Sequence, residues 1–253
     1  MTATAIDVTG IEPISHREAY ALARTEYRRF ADLLATVEDD EWALPTDCAG
    51  WTVRDLAGHM VGAMRSASSI REQIRQQREI ARRTKRDGGN RVDTMTAVQI
   101  GRTAALTPEA LVTECWELVD RAALGRKRTP LPIRRMVSIP VETGSISERW
   151  KIGYLVDVIL TRDTWMHRVD LSRAIGADLQ LDGSHDGRIV ADVVVEWARR
   201  HGRPCTLTLT GPAGGTYAMG ASGPSLEVDA VEFCRILSGR ASGEGLLTHG
   251  VPF

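Results

Sequence analysis

Residues 152–176 read IGYLVDVILTRDTWMHRVDLSRAIG, and their pattern decides the fold. Ile152, Leu155, Val156, Ile159 and Met166 recur at steps of one, three and seven residues, the spacings of one face of an α-helix. Asp163 and His167 extend that stripe toward the interior, so a carboxylate and an imidazole leave adjacent turns of the same face. A charge buried there is costly unless it is paired or bound to a metal. The pair is therefore either a two-ligand claw or an internal hydrogen bond.

Upstream, three more segments carry the same periodicity. Ser15 and Glu18 have the spacing of a capping box ahead of Tyr20, Ala23, Tyr27, Phe30, Leu34 and Val37. Thr52 and Asp55 repeat it ahead of Val53, Leu56, Met60, Ala63, Ala67, Ile70 and Ile74. Thr107 caps a third helix with Pro108 at its first position, followed by Leu111, Cys115, Leu118 and Ala122. The polar segment RRTKRDGGNR (82–91) reads as a loop, and GRKRTPLPIRR (125–135), with two prolines, is excluded from a helix interior. Gly144 to Ser147 supplies the cap of the fourth helix. The expectation is a mainly α protein whose residues 14–178 form a four-helix bundle.

Residues 1–13 read as a loose arm ending at Pro13. Beyond Gly176 the texture changes. Ile189, Val190, Val193, Val194 and Trp197 mark a helix, CTLTLTG (205–211) alternates as a strand, GPAGGTYAMG (211–220) turns into a second, and SLEVD (225–229) is a third. A closing helix spans Ala230 to Leu237, so residues 179–253 read as a small α+β domain.

Composition narrows the function. At 253 residues, 43% hydrophobic and 26% charged, the chain buries a core without disulfides or metal staples. A formal net charge of -1 argues against a protein devoted to nucleic acid. Cys48, Cys115, Cys205 and Cys234 form no CxxC, which excludes zinc ribbons and dithiol redox motifs. No stretch suits a membrane span and the first residues lack the pattern of a signal peptide, so a cytoplasmic protein with no membrane or nucleic-acid partner is expected, as monomer or homodimer.

His59 is the natural third ligand. It falls at the edge of the stripe of Leu56, Met60 and Ala63 rather than on the solvent face. Three ligands of N and O type leave one coordination position for water or substrate, as a catalytic divalent ion requires. The four-residue acid-to-histidine step is not itself diagnostic, because Glu12/His16 and Asp55/His59 share it.

The strings TDCAGWTVRDLAGHMVG (46–62), DTWMHRVDLSRAIG (163–176), FCRILSGR (233–240) and GLLTHGVPF (245–253) together resemble the actinobacterial mycothiol-dependent maleylpyruvate isomerase family, within the DinB-like metalloenzyme superfamily. The likeness covers about Ser15 to Gly176 well and the C-terminal segment more weakly. It implies a DinB-like bundle followed by a small sterol-carrier-like domain. It also implies a divalent metal, zinc first with nickel or another transition metal as alternatives, held by His59, Asp163 and His167. Asp163 departs from the family pattern, which has glutamate there, and is one methylene shorter. An arginine of the C-terminal domain is implied at the active site, and Arg240 is the candidate for that catalytic role.

The chemistry then implied is nucleophilic. Mycothiol, the cosubstrate, is held as thiolate at the open position, and an electrophilic small molecule is isomerised or takes the sulfur. Two rivals remain: a hydrolase with metal-activated water, and a ligand-binding or regulatory module without turnover. Asp55 and Asp170 are candidate acceptors orienting the two histidines, against plainer roles as a capping residue and a surface acid. The basic runs at Arg71, Arg75, Arg78, Arg82, Arg83, Lys85, Arg86 and at Arg126, Lys127, Arg128, Arg134, Arg135 read as solvated faces. Most of the six tryptophans read as core, Cys48 as a packed cap-region residue, and GPAGG lacks the Lys-Ser/Thr of a phosphate loop.

Overall fold

The computed structural model describes residues 5–143 and 146–253. In chain order the regular elements are β1 (Ile6–Asp7), α1 (His16–Leu34), α2 (Val53–Ser68), α3 (Ile70–Asp87), α4 (Arg91–Thr103), α5 (Pro108–Lys127), α6 (Leu131–Met136), β2 (Ser138–Thr143) and β3 (Ile146–Lys151). There follow α7 (Ile152–Tyr154), a π turn (Leu155–Ile159), α8 (Leu160–Ala174), α9 (Asp186–His201), β4 (Cys205–Thr210), β5 (Gly215–Met219), β6 (Ser225–Asp229) and α10 (Ala230–Leu237). Ser15–Asp178 form one compact unit, and the N-terminal arm up to Ile14 joins Leu179–Phe253 in another.

In the larger unit, α1, α2, α5 and α8 make a mainly helical four-helix bundle. Its core gathers Tyr27, Phe30 and Leu34 of α1, Leu56, Met60 and Met64 of α2, Leu111, Cys115 and Leu118 of α5, and Leu171 of α8. Capping fixes where these helices begin. Ser15 and Thr52 each accept from the backbone N–H three residues on, while Glu18 and Asp55 accept from the cap's own N–H. Thr107 accepts from the Ala110 N–H ahead of α5.

Three departures from the sequence expectation have physical causes. The long second helix is two helices, because Ser69 leaves the helical region, with φ -143° and ψ 117°, and caps α3 instead. The loop after α3 is short and α4 follows it, starting at Asn90, whose side chain accepts from the Val92 N–H. Its packed face is half polar, Val98 with Gln99 and Thr103, so the apolar period that betrays a helix is missing. The space comes from α2: a Cβ on Gly58 would lie 2.6 Å from Thr103 Oγ1, and one on Gly62 2.7 Å from Gln99 Cβ. Two glycines four apart therefore let α4 approach α2 closely.

The third departure precedes the helix that carries Asp163 and His167. Residues 125–135 do hold helix, the end of α5 and the short α6, with the break confined to the residues between. Where a cap at Gly144–Ser147 was expected, β2 and β3 form an antiparallel ladder that runs to Lys151, with Ile139 opposite Trp150. Gly144 and Ser145 lie outside the described residues. The helix begins at Ile152 and passes through the π turn, which inserts a residue and shifts the helical phase. Buried Arg126 meets the carbonyl freed there, donating to Val156 O at 2.9 Å, and also bonds Thr161 and Tyr27. Asp157 of the same turn lies against His16 Nδ1 at 2.7 Å and accepts from Arg134 at 3.0 Å. Thus Arg126, expected on a solvated face, is a buried brace.

In the smaller unit the sheet order is β1-β5-β4-β6. β4 runs antiparallel to β5 and parallel to β6, and β1 pairs parallel with β5, Ile6 opposite Tyr217. The arm expected to be loose is therefore an edge strand. Cys205, Leu207 and Leu209 alternate into a core shared with Val190, Val193 and Val194 of α9 and Phe233 of α10. Trp197 meets Phe233 edge-on at 5.3 Å. Among the described residues no helix is long and apolar enough to cross a membrane.

Candidate metal centre

α2 carries His59 between the two glycines that admit α4, and α8 carries Asp163 and His167 one turn apart. Their potential ligand atoms all lie within 4.8 Å of one another. His167 Nε2 stands 3.4 Å from Asp163 Oδ1, and His59 Nε2 stands 3.8 Å from Asp163 Oδ2. The imidazole rings meet edge-on with centroids 5.0 Å apart. A tetrahedral ion with bonds of about 2.0–2.1 Å holds its ligand atoms about 3.3 Å apart, so closure on a cation needs only small side-chain movement.

The environment of each ring tests whether a cation fits. Both nitrogens of His59 are buried without a hydrogen-bond partner. A buried polar atom left unpaired costs about 1–3 kcal/mol, and a ligated ion removes that cost for the nitrogen that binds it. Burial pushes His59 below its ordinary pKa, with Asp163 opposing, which favours the neutral, ligating form. Burial also acts against charge on His167, but the Asp163 carboxylate outweighs it and holds the ring well above its usual value. Asp163 in turn is held well below the carboxylate range: burial opposes this, and the His167 charge overcomes it.

Asp170 orients His167. It is fully buried, and its Oδ2 accepts from His167 Nδ1 at 3.0 Å, which leaves Nε2 directed at Asp163. The surface-acid alternative for Asp170 is thereby corrected. Asp55 takes the plainer of its two roles, accepting from Thr52 N–H at 3.0 Å and Thr52 Oγ1 at 2.7 Å as a capping residue.

Two neighbours escaped sequence reasoning. The Cys48 thiol donates to Asp170 Oδ2 at 3.3 Å and stands 3.7 Å from His167 Nδ1, so Cys48 joins the centre rather than merely packing the cap region. Cys48, His167 and Asp170 also cluster as potential ligands, but His167 shows them the nitrogen that Asp170 already engages. Trp51 lies against both rings, 5.1 Å from His59 and 5.9 Å from His167 between centroids. Only the nearness of both to Thr52, the cap that starts α2, hinted at this placement.

Access is through Asp163, whose side chain is 27% exposed while those of His59 and His167 are 4% and 6% exposed. A groove of about 710 Å³ lies elsewhere, on the arginine-rich face of α3, and none of the three residues lines it. Arg240 belongs to the other unit, just past α10, with its N–H bonded to Arg235 O.

Comparison with curated proteins gives no match. Among solved structures, the crystal structure of the mycothiol-dependent maleylpyruvate isomerase shares the fold over 90% of both chains, with a TM-score of 0.54 and 16% identity. A histidine-to-alanine mutant of that enzyme matches over the same share, with a TM-score of 0.55 and 16% identity. Residues 23–172, more than half of the chain, match the mycothiol maleylpyruvate isomerase N-terminal domain. With two helices bringing two imidazoles and a carboxylate together inside that domain, the chain belongs to the mycothiol maleylpyruvate isomerase N-terminal domain family.

Proposed function

We propose that this chain is a metal-dependent, thiol-using enzyme of the maleylpyruvate isomerase type, its divalent cation held by His59, Asp163 and His167. The observation that carries the reading is the meeting of a buried, unpartnered imidazole with an Asp–His pair inside the family's domain. Zinc suits two nitrogens and one oxygen. Bound there, it supplies the positive charge that keeps a docking thiol, mycothiol, in its nucleophilic thiolate form.

The chain's own residues do the rest. Asp170 fixes the His167 tautomer, and Trp51 and the buried rings keep water from all but the Asp163 side. Asp163, one methylene shorter than glutamate, would hold the cation nearer α8. Thiolate addition to an activated double bond and its later departure give isomerisation, and retention of the sulfur gives S-transfer. Arg240 is proposed as the catalytic arginine, with Arg240→Ala lowering kcat at unchanged metal content. A cytoplasmic location, where low-molecular-weight thiols stay reduced, suits this chemistry.

The test is turnover of maleylpyruvate by zinc-loaded protein with and without mycothiol. Thiol-dependent isomerisation supports the proposal. Thiol-independent turnover makes the chain a hydrolase, and no turnover of any thiol-reactive electrophile makes it a binding module.

A further inference from the structure

The two histidines of the centre are supported unequally. His167 has Asp170 behind its Nδ1, whereas His59 has no hydrogen-bonded partner on either nitrogen. On α4, which packs against α2, Gln99 is 4% exposed and its Oε1 is likewise buried without a partner. Two unpaired polar groups of complementary chemistry, an acceptor oxygen and a ring nitrogen able to donate, therefore lie in one interface.

The interface is built to hold Gln99 there. A Cβ on Gly62 would meet Gln99 Cβ at 2.7 Å and its Cα and carbonyl oxygen at 2.9 Å, so the absent methyl makes room for the Gln99 backbone itself. Gly62 stands three residues after His59, on the same side of α2. The buried Gln99 carboxamide on α4 then has a use.

Resting on the metal reading above, we propose that Gln99 is the positioning residue for His59: its Oε1 accepts from His59 Nδ1–H, leaving Nε2 for the cation. A carboxamide accepts without adding charge, so the pair of orienting acceptors, Asp170 and Gln99, contributes one negative charge rather than two. With Asp163, this sets the ligands and their supports at two negative charges against a divalent ion.

Zinc binding to metal-free protein, measured by competition with a chromophoric chelator, tests this through wild type, Gln99→Leu, Gln99→Glu and His59→Ala. Gln99→Leu keeps the volume and removes the acceptor. It is expected to weaken zinc binding about 10–100-fold while thermal stability is kept, and Gln99→Glu to restore affinity. Wild-type affinity in Gln99→Leu, with binding lost in His59→Ala, overturns the proposal and leaves the metal site standing. Failure of wild type to bind zinc overturns the metal reading beneath it. Should Gln99→Leu not fold, nitrogen-15 NMR of zinc-loaded wild type decides: a proton on His59 Nδ1 with Nε2 ligated supports the proposal, and the opposite arrangement overturns it.

Discussion

Gly62→Ala and Gly101→Ala form a matched pair that measures how tightly α4 is seated. Both glycines are helical, so each substitution gains about 0.8–1.0 kcal/mol of helix propensity. At Gly101 a new Cβ meets nothing within 4 Å, and the whole gain should appear as stability. At Gly62 the methyl would lie 2.7–2.9 Å from the Gln99 backbone and Cβ, which cannot swing aside as a flexible side-chain tip could. Reaching an ordinary contact of 3.4 Å moves α4 by about 0.7 Å, and overpacking of this kind costs about 1–3 kcal/mol. The net for Gly62→Ala is a loss of up to about 2 kcal/mol, and the two variants should differ by about 1–3 kcal/mol. At about 2–4 °C per kcal/mol, circular-dichroism melts resolve that difference. Equal stabilisation by both substitutions would refute the close approach of α2 and α4, and with it the seating of Gln99.

Other consequences follow from the same contacts. Alkylation of native protein at pH 8 should modify Cys48 alone, since burial pushes the Cys115 thiol up to about 12 and raises Cys205, and Cys234 is enclosed; mass spectrometry showing label on Cys115 would count against the core packing. Asp170→Asn should reduce zinc affinity about 10–100-fold by weakening the hold on His167 Nδ1, and unchanged affinity would remove its orienting role. Glu26 and Arg168 are paired out of water, with Nε to Oε2 at 2.9 Å and Nη2 to Oε1 at 3.1 Å. Glu26→Gln should cost about 3–5 kcal/mol in denaturant unfolding, and Glu26→Leu combined with Arg168→Met should recover much of it.

The bundle was legible because α1, α2 and α5 each bury a regular apolar stripe behind a recognisable cap, and α8 carries apolar residues at helical spacing although no side chain caps its start. His59, Asp163 and His167 were legible as candidates because polar residues interrupt those stripes. What stayed hidden obeys other rules. α4 turns Gln99 and Thr103 inward against Gly58 and Gly62, so close backbone approach replaces hydrophobic period as the packing device. The π turn at Leu155–Ile159 breaks the phase on which a helical wheel depends, which is why Leu155 and Val156, drawn as core, are only half-buried. β1 is two residues long and carries no alternation of its own; its partner β5 lies more than two hundred positions away. Cys48 and Trp51 reach the centre from a loop, and no periodicity reports on loops.

The metal content of wild type beside His59→Ala and His167→Ala, by elemental analysis on protein shown to be folded, tests the central claim most directly. The account predicts one divalent ion per wild-type chain and its loss from both variants, with the helices intact because their apolar faces hold the bundle. Equal metal content in all three proteins would contradict it.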